Sequence, residues 1–158
     1  MDLLASAPLV NAAGAPVAAS SLKGLLVAFY FSAHWCPPCR EFTPVLKDFY
    51  EAVNEPEKKF EVVFVSSDND EAARLKYMKE AHGEWLSLPI ESPLRDELKR
   101  KYGCCAGKEQ QASAGVVERR EGIPALVIVR PDGSEVSIKG TEEALGGPPA
   151  LKRWLAKV

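Results

Sequence analysis

The chain has 158 residues, 46% of them hydrophobic and 27% charged, with a net charge of -2 at neutral pH. One domain of this size buries roughly two thirds of its unfolded surface, so disulfide staples are not required. The charge balance points away from a nucleic-acid surface, and the clusters Lys99-Arg100-Lys101 and Arg119-Arg120 read as solvated faces.

In chain order, Leu9-Val10 and Pro16-Val17 flank the turn signal from Asn11 to Gly14 and predict an N-terminal β-hairpin. Ser20 to Gly24 predicts a single helical turn closed by glycine. The apolar run 25–31 predicts a central strand buried on both faces, and at seven residues it is far short of the ~20 needed to cross a bilayer. A helix is expected over 37–53, with Phe42, Val45, Leu46, Phe49 and Val53 at helical spacing and Pro44 as a point of kinking. A second buried strand is expected at 60–66, helices at 70–81 and 93–102, and a hairpin of 125–129 with 135–138 around Pro131-Asp132-Gly133. A last helix occupies 141–157, its regular part delayed to Ala150 by Gly146, Gly147, Pro148 and Pro149. The order βαβα then ββα implies an α/β fold, with a central mixed sheet and helices on both faces.

The most informative stretch is Trp35-Cys36-Pro37-Pro38-Cys39-Arg40, which puts two thiols one helical turn apart straight after the first strand. Prolines are tolerated in a first helical turn, so Cys36 is expected at the helix N-terminus. There the helix dipole and unpaired N–H groups favour a thiolate, lowering a cysteine pKa from about 8.5 to between roughly 3.5 and 7.5. Cys36 is the candidate nucleophile. Cys39, inside the helix, is the candidate resolving thiol. C-x-x-C is also half of a structural zinc site. Against that reading, the remaining pair, Cys104 and Cys105, is adjacent, and the two histidines, His34 and His82, lack H-x-x-x-H spacing, so no metal is expected. Such cysteine usage suits a reducing compartment. Residues 1–19 have no basic n-region and are interrupted by Asp2, Asn11 and two prolines, so no signal peptide is expected and the expected location is cytoplasmic.

The run from Tyr30 to Arg40, then Phe42-Thr43-Pro44-Val45-Leu46, resembles the tryparedoxin and nucleoredoxin branch of the thioredoxin superfamily. Phe60 to Ser66, Trp85-Leu86-Ser87-Leu88-Pro89 and Gly122-Ile123-Pro124-Ala125-Leu126 match in the family's order, so the likeness extends from Leu22 to Gly140. It implies a single thioredoxin-like domain over 1–158. It also implies a cis bond between Ile123 and Pro124, facing the dithiol, a geometry for which X-Pro has only about 0.5–1 kcal/mol to overcome. Trp35, Pro37, Pro38, Ile123 and Pro124 become candidate substrate-binding residues, and Arg40 and His34 candidate modulators of thiol reactivity. Many thioredoxins carry a buried aspartate where this chain has Tyr30, so another proton acceptor is expected, and Asp68 is the candidate. Where tryparedoxins have Trp-Asp-Glu this chain has Ser67-Asp68-Asn69, keeping the aspartate alone.

A second departure is an insert over about 104–121, small and polar in composition, expected to be a mobile loop. Adjacent cysteines have Cα atoms about 3.8 Å apart, too close for the usual disulfide, so Cys104 and Cys105 are expected either as reduced thiols without a role, or with one of them receiving the Cys36/Cys39 disulfide or forming a glutathionylated or metal-binding state. The resemblance as a whole implies a thiol-disulfide oxidoreductase with no bound cofactor. Its electrons would come from a dithiol such as trypanothione, from glutathione or from a reductase. Its partners would be disulfide-containing proteins such as peroxidases and low-molecular-weight thiols, with neither nucleic acid nor membrane, and the protein itself a monomer. A nucleoredoxin-like module that holds protein partners and uses its cysteines as a redox-sensitive latch is the alternative.

Overall fold

The computed structural model describes residues 4, 5, 7–109 and 119–158. Five strands form one mixed sheet in the order β3-β2-β1-β4-β5. β1 (Leu26–Ser32) and β2 (Phe60–Ser66) run parallel, with Leu26 opposite Phe60 and Ser32 opposite Ser66. β4 (Ala125–Val129) lies antiparallel to β1 on its other side, and every residue of these three strands is buried. Burial on both faces is why they read as unbroken apolar runs.

Alternation along the strands then sorts the core into two layers. Leu26, Ala28, Tyr30, Phe60, Val62 and Phe64 pack against α1 (Pro37–Val53), α2 (Glu71–Ala81), α4 (Gly140–Leu145) and α5 (Pro149–Leu155). Val27, Phe29, Phe31, Val63 and Val65 face the other way, onto α3 (Pro93–Tyr102) and the N-terminal segment. Helices thus cover both faces.

Several boundaries have visible local causes. Pro37 and Pro38 open α1, the Asp70 carboxylate accepts the Ala73 N–H at 2.8 Å to start α2, and Gly103 closes α3 in the left-handed conformation at φ 69°. α1 continues through Pro44 without interruption.

Four features differ from the sequence reading. The N-terminal hairpin is reduced to one antiparallel bridge, Val10 to Pro16, because Pro16 has no N–H to extend a ladder and the Asn11 carboxamide takes the Ala13 and Ala15 N–H groups. Val10 also pairs with Ser87 of β3 (Leu86–Ser87), a two-residue strand too short to leave a periodic signal. The last helix is two, parted at 146–148, where Gly147 has φ 91°. β5 (Glu135–Ser137) ends one residue before Ile138.

The insert also departs from the loop that its composition suggested. Cys104, Cys105, Ala106 and Glu109 are buried, Cys104 bridges to Glu121, and the Arg120 and Glu121 N–H groups both reach Gly103 O. Its two ends are therefore closed on each other. The part of the expected loop at 110–118 lies outside the described residues.

Gly140 shows how tightly α4 is seated. A Cβ there would lie 2.4 Å from the Leu126 carbonyl oxygen, a strand backbone atom that cannot step aside. Gly140→Ala is expected to destabilise the protein by about 1–3 kcal/mol, read as a lower urea midpoint at unchanged slope.

Candidate active site

β1, the central strand, ends at Ser32, and Ala33-His34-Trp35 turns the chain into α1 with Cys36 as the N-cap residue in extended conformation. Pro37 and Pro38 contribute no N–H to the first turn. Of the next two amides, that of Arg40 closes the turn onto Cys36 O at 3.1 Å. Cys36 is 5% exposed and its sulfur lies 3.9 Å from Ile123 O, across the cleft. The Ile123–Pro124 bond is cis. Cys39 is fully buried one turn inside, in a small cluster with Ala33, Cys36 and Ile123, and both thiols are free. Burial first, then the neighbouring Cys36, pushes the Cys39 thiol up to about 12 against the pull of Ser32 and the Ala33 N–H.

The rim is apolar and open. Trp35 is 41% exposed, its indole N–H held by Ser67 O at 2.9 Å, while Pro37 and Pro38 are exposed and Ile123 and Pro124 half-buried. Arg40 is exposed on the outer side of the helix. His34 rests edge-on against Tyr77, with Nε2 3.2 Å from the Glu80 carboxylate.

Asp68, expected to serve Cys39, has other partners. One carboxylate oxygen accepts the His34 N–H and the other the Ser66 hydroxyl, each at 2.8 Å, which ties the loop after β2 to the active turn. Burial, only partly opposed by the His34 N–H, raises its carboxyl above the ordinary value. What the structure places behind Cys39 is a set of buried hydroxyls that sequence reasoning missed. Ser32 Oγ is 2.6 Å from Tyr77 Oη, which is 2.5 Å from Thr43 Oγ1, itself 2.7 Å from Tyr30 Oη. A serine closing an apolar strand and a threonine four residues after Cys39 were the available signals.

The thioredoxin-like family profile matches residues 24–135. The chain belongs to this family. Among solved structures it is similar to thioredoxin from Wuchereria bancrofti, with 39% identity, a TM-score of 0.75 and 98% of each chain covered. It is also similar to a tryparedoxin II complexed with glutathionylspermidine, with 32% identity, a TM-score of 0.74, and 94% of this chain and 92% of that one covered. Among curated proteins, nucleoredoxin from Bos taurus is 37% identical over 139 residues, 87% of this chain. The chain spans only 28% of that nucleoredoxin's length.

Within this thioredoxin-like framework, Cys36 and Cys39 are two free thiols one helical turn apart at the head of α1. Among the described residues, no group of three or more His, Cys, Asp or Glu side chains is placed to hold a metal ion, and no helix is long and apolar enough to span a membrane. Cys104 and Cys105 lie outside the small cluster that holds the dithiol. Both are fully buried, Cys104 in the core layer opposite α1, and burial pushes both thiols up, Cys104 to about 12. The insert reaches the site by another route, because the Ser67 hydroxyl donates to the Glu109 carboxylate at 2.6 Å while Ser67 O holds Trp35.

Proposed function

We propose that this protein reduces disulfide bonds of partner proteins. The Cys36 sulfur attacks one sulfur of the partner disulfide, forming a mixed disulfide and releasing a partner thiolate that takes up a proton. Cys39 loses its proton, attacks the Cys36 sulfur and releases the second partner thiol. Two electrons have then passed to the partner, and two donor thiols return them to the Cys36–Cys39 disulfide. The observation that carries this reading is the stacking of the two sulfurs. Cys36 faces Ile123 O beneath an exposed apolar rim, and Cys39 waits fully buried behind it. Burial and then Cys36 itself account for the high pKa of the Cys39 thiol, so engaging Cys36 in a mixed disulfide removes the second cause and readies Cys39 at the moment it is needed.

Trp35, Pro37, Pro38, Ile123 and Pro124 make the partner-binding rim, with His34, Arg40 and Asp68 as modulators. A partner peptide lies along Ile123, where the sulfur-facing carbonyl supports main-chain pairing. The donor is a low-molecular-weight dithiol or a reductase, a reading supported by the glutathionylspermidine held by the related tryparedoxin II. The protein acts as a cytoplasmic monomer, without nucleic acid or membrane, on partners such as peroxidases. With trypanothione, glutathione or thioredoxin reductase supplied side by side to the oxidised protein, at least one is expected to sustain insulin reduction. Failure of all three to reduce the Cys36–Cys39 pair overturns the reading.

The 37% identity to nucleoredoxin favours a second reading, a redox-sensitive module that holds protein partners. Partner capture that survives Cys36→Ser selects it.

A further inference from the structure

We propose that Arg119 is a specificity-determining residue of the dithiol site, a guanidinium held beside the cleft that receives a carboxylate carried by the disulfide substrate. This rests on the disulfide-reductase reading of the dithiol.

Arg119 and Arg120 form a basic pair that in sequence reads as a solvated face, but their surroundings differ. Arg120 pairs with the Glu135 carboxylate, and Glu121, the next residue, with the Lys139 ammonium. Among the described residues no carboxylate pairs with Arg119. Its Nε donates instead to the carbonyl oxygen of the fully buried Cys105 at 3.1 Å, a neutral acceptor that leaves the positive charge uncompensated. Two glycines give it room. A Cβ on Gly107 would lie 3.5 Å from Nη1, and one on Gly122 would run into Nη2, so the guanidinium occupies the space that a side chain at 122 would fill. Nε is thus spent on the insert, while the N–H groups of Nη1 and Nη2 remain as donors on an exposed residue.

The place of this group gives it a role. Gly122 precedes Ile123, whose carbonyl faces the Cys36 sulfur at 3.9 Å and whose bond to Pro124 is cis. Consecutive Cα atoms are about 3.8 Å apart, so a substrate chain lying along Ile123 passes the guanidinium within about two residues of the disulfide under attack. A guanidinium is planar and always charged, and its N–H groups match the two oxygens of a carboxylate. Tethered at Nε to a buried segment, this one loses less freedom on binding than an untethered surface arginine. An acidic side chain flanking the partner's cysteine and a carboxylate of a glutathionyl disulfide offer the same chemistry.

Two pairs of probes distinguish these sources. One is a synthetic peptide disulfide with Glu on both sides of each cysteine, set against its Gln counterpart. The other is glutathione disulfide, set against the disulfide of glutathione diethyl ester. In at least one pair the reduced wild-type protein is expected to reduce the acidic member about three- to fivefold faster than the neutral one at low salt, a ratio that falls toward one as salt screens the charge. Arg119→Gln should bring that ratio to about one, Arg119→Lys should retain part of it, and Arg119→Glu should take it below one. The pair that shows this pattern identifies the carboxylate. A wild-type ratio of one in both pairs, or a ratio that Arg119→Gln leaves unchanged because acidic and neutral probes slow equally, overturns the proposal. Reduction of none of the four probes by wild type overturns the reductase reading and the proposal with it.

Discussion

Cys39→Ser is expected to convert the protein from a turnover catalyst into a trap, and Cys36→Ser to remove nearly all reduction. In the first variant Cys36 still attacks, but nothing behind it displaces the partner, so a stoichiometric mixed disulfide accumulates and appears as a mass increase that dithiothreitol reverses. In the second, Cys39 cannot act in its neighbour's place. It is fully buried, and burial, the largest cause of its raised pKa, remains when Cys36 is replaced. The remaining thiols offer no rescue either, since Cys104 and Cys105 lie wholly inside the protein. Insulin reduction by Cys36→Ser is expected to fall more than about 10³-fold, the scale on which losing a nucleophile is felt. Turnover retained in Cys36→Ser, or no trapped partner with Cys39→Ser, would show that the two sulfurs do not divide the work as their burial implies.

What could be read from the residues follows from how local each cause is. α1 occupies Pro37–Val53 and β2 occupies Phe60–Ser66, the ranges expected, because a proline pair, an apolar stripe and an unbroken buried run act within a few residues of themselves. The dithiol was legible for the same reason. The hydroxyl chain behind it was not, since Ser32, Thr43 and Tyr77 come from β1, α1 and α2 and meet only when the sheet has formed. Asp68 was legible by its position after β2, but not the groups that donate to it, His34 N–H and the Ser66 hydroxyl, which the fold brings to it. At the described start of the insert, composition gave no sign that Glu109 is buried, because its partner, Lys99, lies on the neighbouring α3.

Lys99→Met is expected to destabilise the protein by about 3–5 kcal/mol, the effect of leaving one member of a buried ion pair without its counter-charge. Lys99 is fully buried and its ammonium lies 2.5 Å from the Glu109 carboxylate, which also accepts the Ser67 hydroxyl and the Ala106 N–H. Burial pushes the Glu109 carboxyl up, but Lys99, Ser67 and the Ala106 N–H outweigh it and hold the group below its ordinary value. A carboxyl depressed in the folded state stabilises above its unfolded pKa, roughly 4.3, and that contribution fades as pH falls through the lower folded value. Without Lys99 the burial effect remains and its strongest opponent is gone, so the carboxyl takes up a proton at higher pH than in wild type. The stability gap between variant and wild type is therefore widest near neutrality and narrows on acidification, as urea midpoints measured between pH 4 and pH 7 will show. Lys99→Met/Glu109→Gln should recover most of the loss, because the glutamine carbonyl can still accept from Ser67 and Ala106 while the uncompensated charge is absent. A gap that is constant with pH would instead assign the effect to the packing of the lysine stem. Because Glu109 holds Ser67 and Ser67 holds the Trp35 indole, Lys99→Met should also loosen the exposed tryptophan beside the dithiol, raising the KM for protein disulfides while leaving the rate at which iodoacetamide alkylates Cys36 unchanged.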